Sequence, residues 1–211
     1  PGDISSASFF IVLTILSNNS KMIIKSVNIN ESRIGIIKIL NMMGAGIQFK
    51  NKKFYNGEKI ADIYIKSKKN LKSVDCPSSL NSSAIDEFLV IFLVAAKANG
   101  VSSFKNLSEL NKKESPRLDI AVKFLKKIGI KILRNKDDIK IYGNPNLKIS
   151  KTLHIKNYLK DHRVFMMSCV AALCFLEDGK VIIDDKDSIK TSFPFFLKLL
   201  KKLGAQFNWE K

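Results

Sequence analysis

One segment design recurs three times along the chain of 211 residues, and such a chain must fold as copies of one unit. Each copy opens with Asp and continues as a mostly apolar stretch: Asp3–Val12, Asp86–Ala96 and Asp161–Ala172. A stretch apolar on all sides with an acidic first turn predicts a buried helix. A β-rich run follows each one, at Met22–Ile29, Val101–Leu107 and Lys180–Asp184. Then comes an amphipathic helix, at Ser32–Met43, Ser115–Ile128 and Ser192–Leu203, each stopped by Gly44, Gly129 or Gly204. A further strand is expected at Gly46–Phe49, Ile130–Leu133 and Gln206–Trp209. The Asp landmarks stand 83 and 75 residues apart and the Gly landmarks 85 and 75. Two independent markers therefore keep nearly one period. The fold class that follows is α+β (α/β-like), with buried helices packed against mixed sheets. The polar stretch Lys50–Ser83, with strand-like Ile60–Lys66 inside it, is the place for a domain seam or insertion.

Charge and cysteine usage narrow the functional classes. The formal net charge is +17, but the basic residues are 32 Lys and 4 Arg, scattered in singles and pairs. Base-specific contacts favour the Arg fork, and aromatic residues do not interleave with Lys as a stacking platform requires. No nucleic-acid partner is expected, while attraction for small anions stays open. Cys76, Cys169 and Cys174 are odd in number and lack metal or CxxC spacing, so a reducing, cytoplasmic setting and no bound metal are expected. The longest apolar runs, Ala7–Leu16, Phe88–Ala96 and Val164–Leu176, fall short of the roughly 18–20 residues that span a bilayer, so no membrane partner is expected.

The chemistry gathers at helix N-termini, where free N–H groups attract anions. Gly2-Asp3-Ile4-Ser5-Ser6 offers hydroxyls and amides there. Asn111-Lys112-Lys113-Glu114-Ser115-Pro116-Arg117 places cations and a carboxylate at the start of the second amphipathic helix. Arg33 and Arg117 hold equivalent places after Ser32 and Ser115. Asp161-His162-Arg163 directly precedes Val164-Phe165-Met166-Met167, so it must sit where a buried helix surfaces, in a pocket or a salt-bridge network. His154 has no such context and reads as surface.

Taken in order, Gly2-Asp3-Ile4-Ser5-Ser6-Ala7, Ile85-Asp86-Glu87, Lys113-Glu114-Ser115-Pro116-Arg117, Asp161-His162-Arg163 and Thr191-Ser192-Phe193-Pro194 resemble the EPSP synthases, the 3-phosphoshikimate 1-carboxyvinyltransferases. The Ile-Asp-Glu form resembles the variety called class II. The resemblance implies an inside-out α/β barrel of βαβαββ units, six in two domains, of which three are present. It implies a C-terminal half, with 1–48 completing an upstream domain and 49–211 forming most of the second. It implies transfer of the carboxyvinyl group of phosphoenolpyruvate to the 5-hydroxyl of shikimate 3-phosphate, without cofactor. The full-length enzyme is expected to be a monomer, and this chain to need the missing N-terminal half. The chain opens at Pro1-Gly2-Asp3 as a helix is about to begin, and is expected to be part of something longer.

Roles follow from the same resemblance. Asp86 matches the proton acceptor that contacts the shikimate hydroxyls, Glu114 the acid/base on the methylene, and Lys113 a lysine on the hydroxyl side. His162 matches a supporting histidine. Arg117 and Arg163 match the arginines that grip phosphoenolpyruvate. Ser6 matches the serine that holds the shikimate phosphate, with Ser5 beside it as a second substrate-binding hydroxyl. Lys190 stands near the place of a phosphoenolpyruvate lysine, one residue out of the family's register. Pro116 replaces the usual Asp of the Lys-Glu-Ser motif, Asn111 stands where an Arg is common, and Phe9 where some members have an aromatic hydroxyl. Two competing readings are the sister transferase that acts on a UDP-amino sugar, and a non-catalytic remnant.

Overall fold

The computed structural model describes residues 1–208. The three Asp-led runs are helices: α1 (Ile4–Leu16), α4 (Phe88–Lys97) and α6 (His162–Phe175). They pack on one another in pairs, at the centre of a single apolar core that runs from Ile4 to Leu200. That position explains their composition. A helix enclosed on all sides has no polar face, and its few hydroxyls must be satisfied locally. Ser8 Oγ donates to the Ser5 carbonyl at 2.6 Å, Thr14 Oγ1 to the Phe10 carbonyl at 2.7 Å, and Ser168 Oγ to the Val164 carbonyl at 2.8 Å. Asp3 and Asp161 cap α1 and α6 through their carboxylates. Asp86 does not cap α4, which begins two residues later, after Glu87.

Outside the helical centre lie the sheets. β1 (Lys21–Asn28), β2 (Gln48–Tyr55) and β3 (Glu58–Lys66) form an antiparallel sheet in the order β1-β3-β2. β4 (Val101–Phe104), β5 (Lys131–Asn135) and β6 (Asp138–Tyr142) repeat that order as β4-β6-β5. The chain before each buried helix also pairs in parallel with the chain after it: Gly2 with Val27, Asp75 with Ser103, and Ile149 with Leu176. In the third copy this pairing grows into a two-stranded parallel sheet of β7 (Leu153–Ile155) and β8 (Val181–Ile183). Each copy is thus a crossover around a buried helix, extended in the first two by a hairpin.

The amphipathic helices α2 (Gly35–Met42), α5 (Arg117–Lys127) and α7 (Phe196–Lys202) are each shorter at the start than the sequence pattern suggests. The causes are local. Asn30 Oδ1 accepts from both the Ser32 amide and hydroxyl and holds a turn before α2. Pro116 fills the cap position of α5, and Pro194 keeps Phe193 out of helical geometry ahead of α7. The expected stops hold: Gly44, Gly129 and Gly204 have φ of +85°, +92° and +95°. A further short helix, α3 (Asn81–Ala84), precedes α4.

Two expectations need correction. No strand forms over Ala205–Asn208, and Trp209 lies outside the described residues. The polar stretch from Lys50 is built into the first sheet through β2 and β3, because Ile60, Ile63 and Ile65 face the core. The division expected between 48 and 49 falls within β2.

Candidate active site

The site forms where the N-termini of α4, α5 and α6 meet. Its cap chemistry is indirect at α5, because Pro116 has no side chain to offer. Asn111 reaches over instead: its Oδ1 accepts from the amides of Leu118 (3.0 Å) and Asp119 (3.2 Å), and its Nδ2 donates to Asp119. This ties the turn carrying Lys112, Lys113 and Glu114 to the helix start.

Arg117 is the hub. It is 1% exposed, among the largest fully buried side chains. Its Nε donates to Asp161 Oδ2 at 2.8 Å, its Nη1 to Asp86 Oδ1 at 3.3 Å, and its Nη2 to the Glu114 carboxylate. Asp161 also accepts from Ser115 Oγ at 2.8 Å and, as cap of α6, from the Arg163 amide at 2.9 Å. Burial alone would push the Asp161 carboxyl up, but the Arg117 guanidinium and these hydrogen bonds hold it below its usual range.

Asp86 faces three cations: Lys113 Nζ at 3.3 Å, Arg117 Nη1 at 3.3 Å and Arg163 Nη2 at 3.9 Å. Partial burial works against its charge, and Arg163, Lys113 and Arg117 outweigh it, so Asp86 stays ionised well into the acid range. His162 is half-buried beside Glu114 and Asp161; burial, less offset by Glu114, lowers its pKa below the ordinary value and leaves a neutral imidazole at pH 7. Donor atoms of Glu114, Asp161 and His162 lie within 4.8 Å of one another. Asp161 is already engaged by Ser115, Arg117 and the Arg163 amide, so the trio is organised by a guanidinium and not as a metal cage.

The structure thus gathers Asp86, Lys113, Glu114, Arg117, His162 and Arg163. Ser5 joins only from behind: it is 4% exposed and its hydroxyl is spent on Glu87. Ser6 is more open, with its hydroxyl on the Asp3 carboxylate at 2.9 Å. Lys190 is not brought in; it is exposed and pairs with Asp187 at 3.0 Å. Arg117, expected to reach a small anion, has its N–H groups turned to carboxylates. Arg33, its counterpart in the first copy, is exposed and donates to Ser5. His154, read as plain surface, lies 2.6 Å from Asp184 Oδ1 across the third sheet. Sequence reasoning missed roles for Asp161 and Glu87. The available signal was their place, each a carboxylate within three positions of an apolar run. Clefts of about 200 Å³ beside Lys123 and Tyr158 and about 310 Å³ above Asp62 are lined by residues outside the cluster, in which Lys113 and Glu114 are the most exposed side chains and Arg117 and Asp161 are buried.

Residues 1–200 match the family model for EPSP synthase (3-phosphoshikimate 1-carboxyvinyltransferase). The chain belongs to the EPSP synthase family. Among curated EPSP synthases, the 3-phosphoshikimate 1-carboxyvinyltransferase of Zymomonas mobilis is 38% identical over 99% of this chain, and that of Petrotoga mobilis 37% over 97%. An EPSP synthase structure from Acinetobacter baumannii superposes with a TM-score of 0.88 at 35% identity over 96% of this chain. The enolpyruvyl transferase NikO from Streptomyces tendae shares the fold, with a TM-score of 0.72 at 15% identity. This chain covers 46% of each of the two curated relatives and of the Acinetobacter chain, so it spans about half the length of an EPSP synthase.

Proposed function

We propose that this chain is half of an EPSP synthase that transfers the carboxyvinyl group of phosphoenolpyruvate to the 5-hydroxyl of shikimate 3-phosphate and releases phosphate. The observation that carries the reading is the cluster of Lys113, Arg117 and Arg163 around an ionised Asp86 at converging helix N-termini. Such a cluster suits two anionic substrates, and a carboxylate held ionised is fit to take a hydroxyl proton. In this reading Asp86 accepts that proton while Glu114 protonates the methylene carbon. The new C–O bond gives a tetrahedral adduct. Loss of a proton from its methyl group and of phosphate then leaves the enol ether. Arg163 and Lys113 hold the anions, and His162 stays neutral beside Glu114. Ser6 meets the shikimate phosphate. Arg117 binds phosphoenolpyruvate only as Glu114 swings away from it. Lys190 must move to contribute.

In this reading residues 1–48 complete an upstream domain, residues 49–211 form most of the second, and the N-terminal half supplies the rest. The complete enzyme acts as a monomer in the cytoplasm, a setting in keeping with three unpaired thiols and, among the described residues, no helix long and apolar enough to cross a membrane. In the full-length enzyme, Glu114→Gln and Asp86→Ala should each lower turnover by about two orders of magnitude or more with the fold intact. Near-normal turnover in either would remove that role. Transfer to a UDP-amino sugar in place of shikimate 3-phosphate would move the assignment to the sister enzyme.

A further inference from the structure

The proposed reaction leaves one buried acid without a use. Glu87 occupies the cap position of α4, yet its side chain makes no cap bond. It turns inward and is 3% exposed. Oε1 accepts from Ser5 Oγ on α1 at 2.5 Å and lies 3.7 Å from Arg163 Nη1 on α6. That same Nη1 donates to the Asp86 carbonyl at 3.0 Å, and Ser5 in turn accepts from Arg33 Nη2 at 3.0 Å. A carboxyl is costly to bury, and an apolar side chain would serve packing alone better. Here the acid touches a polar group from each of the other two buried helices.

We propose that Glu87 is a positioning residue that fixes the guanidinium of Arg163 relative to Asp86 and locks the N-termini of α1, α4 and α6 together. The inference rests on the reading of Arg163 as an anion-binding residue. Glu87 touches no substrate; it acts by confining a side chain whose aim decides affinity. Burial pushes its carboxyl up, against the pull of Ser5 and Arg163, so its contacts and not the solvent set its state.

The test is made in the full-length enzyme that carries this chain, with phosphoenolpyruvate as the varied substrate. Glu87→Gln keeps the shape and the acceptor for Ser5 but removes the charge facing Arg163. It should raise the KM for phosphoenolpyruvate about tenfold or more, with kcat within about threefold and the unfolding midpoint little changed. A folded Glu87→Gln with unchanged KM overturns the proposal, as does a variant that loses stability alone. Should Glu87→Gln fail to fold, Ser5→Ala serves: it frees the acid from α1 and should raise the same KM several-fold, and an unchanged value overturns the proposal. Arg163→Ala separates the two layers. If it weakens phosphoenolpyruvate binding and the Glu87 variant does not, only the positioning role falls. If Arg163→Ala binds as tightly as the parent, the reading of Arg163 has failed and this inference falls with it.

Discussion

Asp161 does three jobs with two oxygens: it caps α6, accepts from Ser115 and neutralises a buried Arg117. Removing its charge leaves a guanidinium with 2% side-chain exposure short of its main partner. Asp161→Asn should therefore cost about 3–5 kcal/mol, read from urea unfolding. The pH dependence has a definite sign. Asp161 binds its proton less readily in the folded state than at its usual 3.8, so its stabilisation is complete above that value and is lost as pH falls through the folded value. His162 acts the same way nearer neutrality: the folded state resists its protonation, so stability drops as pH falls below about 6.5. Unfolding midpoints measured from pH 7 to 3 should decline in two stages, and His162→Gln should remove the first. A midpoint that does not move between pH 7 and 5 would contradict this.

Among the elements, the buried helices carry the stability and the glycines the geometry. Phe104 packs edge-on against Phe88 and Phe92 of α4, which are tilted against each other, with centroids 5.1–5.9 Å apart. Phe92→Ala should lose about 3–5 kcal/mol. The chain also passes close to the end of α4. A Cβ on Gly143 would meet the Ala98 carbonyl oxygen at 2.1 Å and that of Ala95 at 2.7 Å, all backbone and unable to yield. Gly44 differs: nothing lies within 4 Å of an added Cβ, but its φ is +85°. Thermal denaturation should show Gly44→Ala losing about 1 kcal/mol from backbone strain alone, and Gly143→Ala losing clearly more. Equal losses would mean the α4 terminus relaxes. Helix starts were the least legible elements. They were set by Asn30, Asn111 and two prolines, which act through side-chain reach and ring geometry that hydrophobic spacing does not record.

At the scale of the molecule, the sheets of the three repeats differ among the described residues. The first two sheets have three strands, whereas the third has two among the described residues. Leu159, Leu173, Leu176, Phe195, Leu199 and Leu203 are exposed in that third repeat, half of the exposed large apolar residues described. Exposed apolar side chains in one repeat invite cover. In the two-half enzyme proposed above, this chain alone should bind an environment-sensitive apolar dye, and addition of the N-terminal half should displace it. Leu199→Asp with Phe195→Asp should weaken that assembly. A dye signal indifferent to the other half would place the partner elsewhere.

Composition and spacing alone determined the three buried helices, the Gly stops of the amphipathic helices and the α+β class, because a helix surrounded by protein must be apolar on every side and the chain leaving each amphipathic helix turns through a residue free to take positive φ. Motif likeness named most of the cluster before any coordinates. Only the tertiary structure decided that Arg117 is buried among three carboxylates, that Ser5 faces inward, that Lys190 stands apart and that residues on both sides of position 48 share one sheet. Those outcomes depend on which side chains meet across distances of 31 to 82 residues. Spacing along the chain carries the period of each element, and it holds no record of the angle at which one helix end is turned toward another.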